Sequence, residues 1–183
     1  MDREPLWIDE VLRFWFEELT PEQWFARDHD LDALIRDRFL TLHEELVVTE
    51  AAGIFAPLAL LAAVITLDQF SRNIFRGTPR AYAADGIARR LSRITIENGC
   101  DAGMTEHERS FLYLPFQHSE NREDQALSLR LYEQLGNEEW TRFAKAHKDI
   151  IDRFGRFPHR NATLGRTSTP EEIALLKEPM GSF

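Results

Sequence analysis

The chain has 183 residues, a formal net charge of −9 and a single cysteine, Cys100. This length suits one domain that buries a hydrophobic core without disulfides or metals. A single cysteine excludes an intramolecular disulfide framework and a cysteine-rich zinc site. The acidic balance disfavours non-specific binding of nucleic acid.

The charge is distributed unevenly along the chain. Residues 1–50 carry a net charge of −9, whereas residues 51–183 are neutral overall. Within the neutral part, residues 68–93 and residues 144–166 each carry a net charge of +4 and are rich in arginine. The planar guanidinium of arginine suits a carboxylate or a phosphate. These arginines therefore either hold an anionic ligand or pair with the acidic N-terminal helices.

The sequence shows no targeting or membrane segment. The N-terminus is acidic and lacks the basic region that opens a signal peptide. The longest apolar run, residues 57–67, is shorter than the roughly 20 residues that a membrane-spanning helix needs. We therefore expect a cytoplasmic protein without a membrane partner.

Helical periodicity dominates the first half of the chain. Residues 7–16 predict a helix with a wide apolar face, and Thr20 is typical of the cap of a short helix that follows. A long amphipathic helix is predicted over about 30–49, ending before Gly53. The next helix, over about 57–76, is apolar nearly all round at its start, which indicates a central, buried element.

The second half is also helical. A helix is predicted over 80–97, and Thr105 with Glu108 forms a capping box before the next, which Pro115 should kink or end. Further helices are predicted over 121–135, from Asn137 to Phe154, and briefly after Thr169, with residues 155–168 irregular. Strand-like alternation is absent from the sequence. The prediction is one all-α domain, an antiparallel bundle of about seven to nine helices.

Polar side chains continue an apolar stripe in the helix over 57–76. They are Asp68, Gln69, Arg72, Asn73 and Arg76. In one interpretation the helix end leaves the core and Asp68 pairs with Arg72 at i,i+4. In the other, these side chains line a cavity, which the apolar Phe70 and Ile74 on the other side of the helix favour.

Two histidines fall on apolar helix faces. His147 follows Trp140 and Phe143 at helical spacing, and the usual explanation is a core histidine with a hydrogen-bond partner. His118 lies at a helix end, where the helix dipole also favours an exposed histidine. Both histidines are nevertheless candidates for acid–base chemistry, because an unperturbed imidazole has a pKa of about 6.5.

The segment 153–166 alternates arginine with aromatic and histidine side chains. Such a pattern could stack bases of single-stranded nucleic acid, but the acidic N-terminal quarter would then have to face away from the ligand. His118 and Glu120 with His147 or His159 match no standard metal-binding spacing. We expect no metal and no cofactor.

Several blocks of the chain resemble a bacterial family known as domain of unknown function 924. They are residues 11–16 (VLRFWF), 67–77 (LDQFSRNIFRG), 111–120 (FLYLPFQHSE), 153–161 (RFGRFPHRN) and the closing Gly181-Ser182-Phe183. The last block departs slightly, because Met180 stands where the family more often has glycine. The resemblance implies a tetratricopeptide-like helical fold and brings no established reaction.

These blocks coincide with the polar clusters, and we expect them to converge on one cavity. The predicted catalytic residues are His118, His147, Glu120 and Asp68. The predicted ligand-binding residues are Gln69, Arg72, Asn73, Arg76, Gln117, Arg153, Arg156, His159, Arg160, Asn161 and Arg166. The arginines would hold an anionic group while a histidine transfers a proton.

The sequence leaves two functions open. The first is a pocket for a small phosphate- or carboxylate-bearing ligand, with hydrolase- or transferase-like chemistry. The alternative is a tetratricopeptide-like interaction module whose groove binds an acidic peptide or a C-terminal carboxylate. The sequence does not predict an oligomeric state.

Overall fold

The structure, a computed structural model, describes residues 5–178, which contain helices and no strand. The all-α prediction is confirmed. The closing block Gly181-Ser182-Phe183 and the departure at Met180 lie outside the described residues. No helix in the described part of the chain combines the length and the apolar character that a membrane span requires.

Nine helices follow one another along residues 5–178, in agreement with the predicted seven to nine. The first four are α1 (Leu6–Arg13, continued by the π-helical turn Phe14–Glu18), α2 (Pro21–Trp24), α3 (His29–Val48) and α4 (Pro57–Ile65, the π-helical turn Thr66–Phe70 and Ser71–Ile74). The others are α5 (Asp85–Glu97), α6 (Glu106–Gln117), α7 (Arg122–Leu135), α8 (Glu138–Phe154) and α9 (Pro170–Leu175).

Local capping explains several of these boundaries. The side chain of Asn121 accepts hydrogen bonds from two backbone N–H groups at the start of α7, and Thr169 forms a capping box with Glu172 at the start of α9. Helices α7 and α8 end at Gly136 and Gly155, whose φ angles are 75° and 70°. Glycine adopts this left-handed conformation at little cost, so both helices end where the sequence predicts.

Two boundaries differ from the prediction. The helix predicted over 80–97 begins only at Asp85, because Pro79–Tyr82 forms a separate 3₁₀ turn. Pro115 does not end α6, which continues to Gln117. The backbone N–H of His118 donates to the carbonyl of Leu114, so helical bonding resumes directly after the proline. Pro115 lacks the N–H that would donate to the Phe111 carbonyl, so α6 loses one backbone hydrogen bond without ending there.

The chain divides into two compact units. The first unit comprises residues 5–76 and 80–112, and the second comprises residues 77–79 and 113–178. The division falls within α6, after Leu112. The expectation of a single domain stays a prediction.

Helix α4 is the central element of the first unit. It contacts α1, α3 and α5, and every residue from Ala59 to Ser71 is buried. Aromatic rings fill the core around it, with Phe39 stacked on Phe70 at a centroid distance of 4.6 Å. Trp15 stacks on Trp24 at 6.4 Å, and the Trp24 indole N–H donates to the Trp15 carbonyl over 2.7 Å. The prediction of a central, buried helix is correct.

The π-helical turn Thr66–Phe70 interrupts α4 where its polar stripe begins. A π turn holds more residues than an α turn, so side chains beyond it lie at angles that a 3.6-residue period does not predict. All five residues of this turn are buried. The polar end of α4 therefore stays inside the first unit, contrary to the interpretation in which it leaves the core.

The second unit contains the helical hairpin of α7 and α8 and an irregular segment, residues 155–169, that leads to α9. Helices α7 and α8 pack against each other across the turn at Gly136. A hydrophobic cluster joins the end of α8 to the irregular segment and α9. Its members are Ile150, Ile151, Phe157 and Leu175, with Phe154 packed against it. The irregular segment is thus anchored to the core by Phe157.

Candidate functional site

In the first unit, the end of α4 carries a buried ion-pair network. Asp68 is 1 % exposed, and its carboxylate lies 3.2 Å from the guanidinium of Arg72. Arg72 also donates two hydrogen bonds to Asp85, of 3.0 and 3.1 Å. Burial alone would lower the pKa of Arg72, but the two carboxylates raise it above its ordinary value. The i,i+4 pair predicted from the sequence exists, with Asp68 buried and Arg72 half-buried.

A second network joins α4 to α3 through Asp32. Arg76 donates two hydrogen bonds to the Asp32 carboxylate, of 2.6 and 2.7 Å, and the Asn73 amide donates a third of 2.8 Å. Burial opposes ionisation of Asp32, but the hydrogen bonds from Arg76 and Asn73 bring its pKa below the ordinary value. Asn73 and Arg76, which the sequence predicts as ligand-binding residues, therefore bind the Asp32 carboxylate of the protein itself.

Other arginines of the stretch 68–93 also bind acidic residues of the N-terminal quarter. Arg80 pairs with Glu44 and Arg90 with Glu50, over 3.0 and 3.1 Å. Together with the pair of Arg76 and Asp32, these pairs support the interpretation in which the arginines neutralise the acidic N-terminal helices. Gln69 donates to Asp68 over 2.5 Å, so it too belongs to the network at the end of α4.

In the second unit, two histidines and an arginine lie against the ring of Phe157, and a third histidine lies beside one of them. We call His118, His147, His159 and Arg160 the histidine cluster. The His147 and His159 rings each lie 5.6 Å from the Phe157 ring, measured between centroids, and the Arg160 guanidinium carbon lies 4.7 Å from its centre. The ring of His118 lies 6.4 Å from that of His147. His118 and His159 are half-buried, whereas His147 and Arg160 are buried.

His147 is an uncharged base at neutral pH. Burial lowers the pKa of His147 well below 6.5, and the nearby positive groups of His118, His159 and Arg160 lower it further. Its Nδ1 lies 2.8 Å from the Phe143 carbonyl, which can only accept, so Nδ1 carries the proton and Nε2 the lone pair. The ordinary explanation, a core histidine with a hydrogen-bond partner, thus describes His147 correctly, and the same tautomer leaves it a basic nitrogen.

Glu120 fixes the irregular segment that carries His159 and Arg160. Its carboxylate accepts two hydrogen bonds from Arg166, of 2.7 and 2.9 Å, and one of 2.8 Å from the backbone N–H of Phe157. Burial opposes its ionisation, but Arg166 and the Phe157 N–H bring the pKa of Glu120 below its ordinary value. This geometry gives Glu120 a positioning role.

A second clamp joins the irregular segment to α9. Arg156 donates to both oxygens of the buried Glu172, over 2.6 and 2.8 Å, and these bonds lower the pKa of Glu172 to about 2. The Asn161 amide donates to Glu172 over 3.3 Å and its oxygen accepts from Arg166. Arg153 is exposed and lies over the Phe154 ring.

The structure thus divides the predicted site residues between the two units. The first unit holds Asp68, Gln69, Arg72, Asn73 and Arg76, and the second holds Gln117, His118, Glu120, His147, Arg153, Arg156, His159, Arg160, Asn161 and Arg166. Gln117 is buried, and its carbonyl accepts from Gln125 over 2.7 Å. Their convergence on one cavity stays a prediction. Within residues 5–178, no group of three or more His, Cys, Asp or Glu side chains could hold a metal ion.

A comparison with models of known protein families identifies the family of this chain. A family model described as "Bacterial protein of unknown function (DUF924)" matches residues 11–180. The chain belongs to this family. The matched range includes the buried networks of the first unit and the histidine cluster of the second, so this DUF924 member carries both features within the family region.

A solved structure supports the same relationship. The chain is similar to a protein of unknown function from Agrobacterium tumefaciens, with 38 % sequence identity and a TM-score of 0.88. The similarity covers 93 % of this chain and 96 % of that one. The DUF924 fold therefore extends over nearly the whole chain. The comparison with curated proteins found no match.

Sequence reasoning missed the partners that hold the site residues. Asp32, Asp85 and Glu172 are buried carboxylates that accept from arginines 13 to 44 positions away. From the sequence alone, Phe157 is only an aromatic residue between arginines, whereas in the structure it contacts His147, His159 and Arg160. Acidic residues on otherwise apolar helix faces would have been the available signal, but their partners lie too far along the chain for spacing to identify.

Proposed function

We propose that this DUF924 protein binds a small phosphate- or carboxylate-bearing anion at the histidine cluster and that His147 exchanges a proton there. One observation carries the proposal. The imidazoles of His147 and His159 and the Arg160 guanidinium lie against a single aromatic ring, Phe157, and the His118 ring lies 6.4 Å from that of His147. Four nitrogen-bearing side chains in so small a region form an anion-attracting environment.

The exposure of the cluster suits a ligand that enters from solvent. His118 and His159 are half-buried, so their rings reach the surface, while Arg160 and His147 lie beneath. Partial burial strengthens the attraction between an anion and a cation, because less water screens the pair. Glu120 and Arg156 hold the irregular segment in place, so the cluster is positioned before a ligand arrives.

The proton chemistry follows from the state of His147. Burial and the positive neighbours keep the pKa of His147 low, so it is a weak base. A bound anion offsets the positive neighbours and raises that pKa toward neutrality. His147 Nε2 can then take a proton from an attacking water or hydroxyl group, which is the general-base step of hydrolysis or group transfer.

The family resemblance adds a second line of support. The block 111–120 supplies His118 and Glu120, and the block 153–161 supplies Phe157, His159 and Arg160. The Phe157 N–H donates to Glu120, so these two blocks meet directly in the second unit. Segments by which the family is recognised thus build the cluster.

Calorimetric titration with inorganic phosphate, pyrophosphate and citrate tests the proposal. We expect binding of at least one of them, with affinity that falls as ionic strength rises. We also expect proton uptake on binding, seen as a heat that depends on the ionisation enthalpy of the buffer. A ligand at 100 times its dissociation constant should stabilise the fold by about 2.7 kcal/mol in a thermal-shift measurement.

Matched variants separate the cluster from general charge. Arg160→Gln and Arg153→Gln remove the same charge from positions seven residues apart, the first in the irregular segment and the second in the last turn of α8, and only Arg160→Gln should weaken binding. His147→Asn keeps a donor near the position of Nδ1 for the Phe143 carbonyl and removes Nε2, so it should abolish proton uptake. Circular dichroism verifies that each variant is folded.

Two outcomes contradict the proposal. The first is no binding of phosphate, pyrophosphate or citrate by the unmodified protein. The second is an equal loss of affinity in Arg153→Gln and Arg160→Gln, which would indicate diffuse surface charge. Binding of a poly-glutamate peptide without binding of the three small anions would favour the interaction module instead.

A further inference from the structure

A surface depression of about 410 Å³ lies in the first unit, beside the Asp32 network. The N-terminal half of α3 and the end of α4 form its walls. The side chains that matter to the argument are His29, Asp32, Arg36, Asp37, Asn73 and Arg76. The volume falls within the range of small-molecule sites, which is about 300–1,000 Å³.

The polar groups at the floor of the depression are hydrogen-bonded to one another. Asp32 and Asn73 are buried, and Asp32 accepts three hydrogen bonds, two from Arg76 and one from Asn73. The charges of Asp32 and Arg76 therefore cancel within the protein. This network gives the depression a fixed polar floor and leaves recognition to the residues on its rim.

The rim carries charged groups that the fold uses little. Arg36 donates to the Ile74 carbonyl at the end of α4, which occupies one of its five N–H donors. The Asp37 carboxylate makes no hydrogen bond or ion pair with any residue in the described range 5–178. His29 interacts electrostatically with Asp32, and its side chain makes no hydrogen bond with any residue in the range 5–178.

The spacing along α3 leaves room between these groups. His29, Ala33 and Asp37 are each four residues apart, so they follow one another along one helix face. Ala33 is the middle member and also lines the depression. Its small side chain separates a basic end at His29 from an acidic end at Asp37, with Arg36 on the neighbouring turn.

We propose that this depression binds a small amino acid with an acidic side chain. The ammonium group of the ligand contacts the Asp37 carboxylate, and its two carboxylates contact Arg36 and His29. Donors and acceptors then match in number, because two basic side chains face two carboxylates and one acidic side chain faces one ammonium. All these residues belong to the first unit, so the inference is independent of the function proposed for the histidine cluster.

Titration with three probes tests the charge pattern. L-Glutamate carries both kinds of group, glutarate lacks the ammonium, and 1,5-diaminopentane lacks the carboxylates. We expect L-glutamate to bind about tenfold more tightly than glutarate, as the gain of one charge-assisted hydrogen bond predicts. The diamine should bind more weakly still.

Three variants assign the contacts. Asp37→Asn should bring the affinity for L-glutamate down to that for glutarate, whereas Asp30→Asn, which removes the same charge from the first turn of α3 outside the depression, should leave the difference intact. Arg36→Gln should weaken both ligands. Ala33→Met should fill the depression and weaken all binding, and circular dichroism verifies that it folds.

Three results would overturn the inference. They are no binding of L-glutamate to the unmodified protein, equal affinities for L-glutamate and glutarate, and equal effects of Asp30→Asn and Asp37→Asn. None of these results bears on phosphate binding at the histidine cluster.

Discussion

The two arginine-rich stretches carry the same net charge of +4, yet the fold neutralises them differently. In the stretch 68–93, Arg76, Arg80 and Arg90 bind carboxylates from the acidic N-terminal quarter. In the stretch 144–166, Arg156 and Arg166 bind carboxylates of the second unit. The first stretch therefore joins helices to one another, whereas the second fixes an irregular segment.

This difference determines what each stretch can offer a ligand. The paired arginines of the first stretch serve mainly the stability of the first unit. The clamps of the second stretch fix the segment in which Arg160 and His159 lie against Phe157 together with His147, so positive and titratable groups are close together. The net charge of a sequence segment thus predicts its role less well than does the identity of the carboxylates that its arginines bind.

The largest effect should come from the buried network at the end of α4. Arg72→Met leaves Asp68 and Asp85 buried without their cation, which costs about 3–5 kcal/mol of unfolding free energy. Urea unfolding measures this loss. Arg90→Met, in an exposed pair with Glu50, is the matched control and should change stability by less than about 1 kcal/mol. Equal losses in the two variants would show that burial does not distinguish these arginines.

The next effect concerns the buried His43 of the first unit. Ser71 donates its hydroxyl to the Leu67 carbonyl, so His43 Nε2 donates to Ser71 over 2.6 Å, and its Nδ1 has no hydrogen-bond partner within the described residues. Burial lowers the pKa of His43 from 6.5 to about 4, with the nearby charge of Arg80 adding to this and that of Glu44 opposing it.

The sign of the pH dependence follows. Because the unfolded chain binds the proton more tightly, the stability is complete above pH 6.5 and declines as the pH falls toward 4. Between pH 7 and pH 5 we expect a loss of about 2 kcal/mol from this group. His43→Gln keeps a donor for Ser71 and cannot titrate, so its loss over the same interval should be smaller by that amount. Parallel pH profiles would contradict this assignment.

A smaller effect is expected from the clamp on the irregular segment. Arg166→Gln removes two hydrogen bonds from Glu120 and should destabilise the protein by about 1–2 kcal/mol. A double-mutant cycle with Glu120→Gln measures the coupling directly. A coupling near zero would mean that the Phe157 N–H alone positions Glu120.

The smallest effect should come from the exposed pair on α8. Lys145 and Asp149 are exposed and lie 2.6 Å apart at i,i+4. Lys145→Gln should change the unfolding free energy by less than about 0.5 kcal/mol, in urea at low or high salt. If Lys145→Gln lowered the unfolding free energy as much as Arg166→Gln does, exposed and half-buried ion pairs would not differ in their contribution to stability.

The sequence predicts most of the fold because its helix boundaries are encoded locally. Asn121 and Gly136 bound α7, Asn137 and Gly155 bound α8, and each acts through contacts within four residues. The π-helical turn in α4 and the 3₁₀ turn Pro79–Tyr82 escaped prediction. Tertiary packing selects such turns, and residue periodicity carries no signal for them.

The candidate site is predicted only in part, for a related reason. Periodicity identified His147 and Asp68 because each is a polar residue on an apolar face. It could not show that Glu120 would accept from Arg166, 46 positions away, or that Asp32 would accept from Arg76, 44 positions away. Such pairings depend on tertiary contacts. From the sequence alone, the same arginines are therefore equally consistent with a ligand-binding role and with a structural role.

The stacked indoles of Trp15 and Trp24 give the molecule an optical signature. Two indoles whose centroids are 6.4 Å apart couple their electronic transitions, so the near-ultraviolet circular dichroism of the protein should contain a split band from the first unit. Beyond residue 24 the chain has a single tryptophan, Trp140, which lies on α8 in the second unit. The difference in fluorescence between the protein and a Trp140→Phe variant therefore follows the second unit. Melting curves of the two signals coincide only if the whole chain unfolds cooperatively.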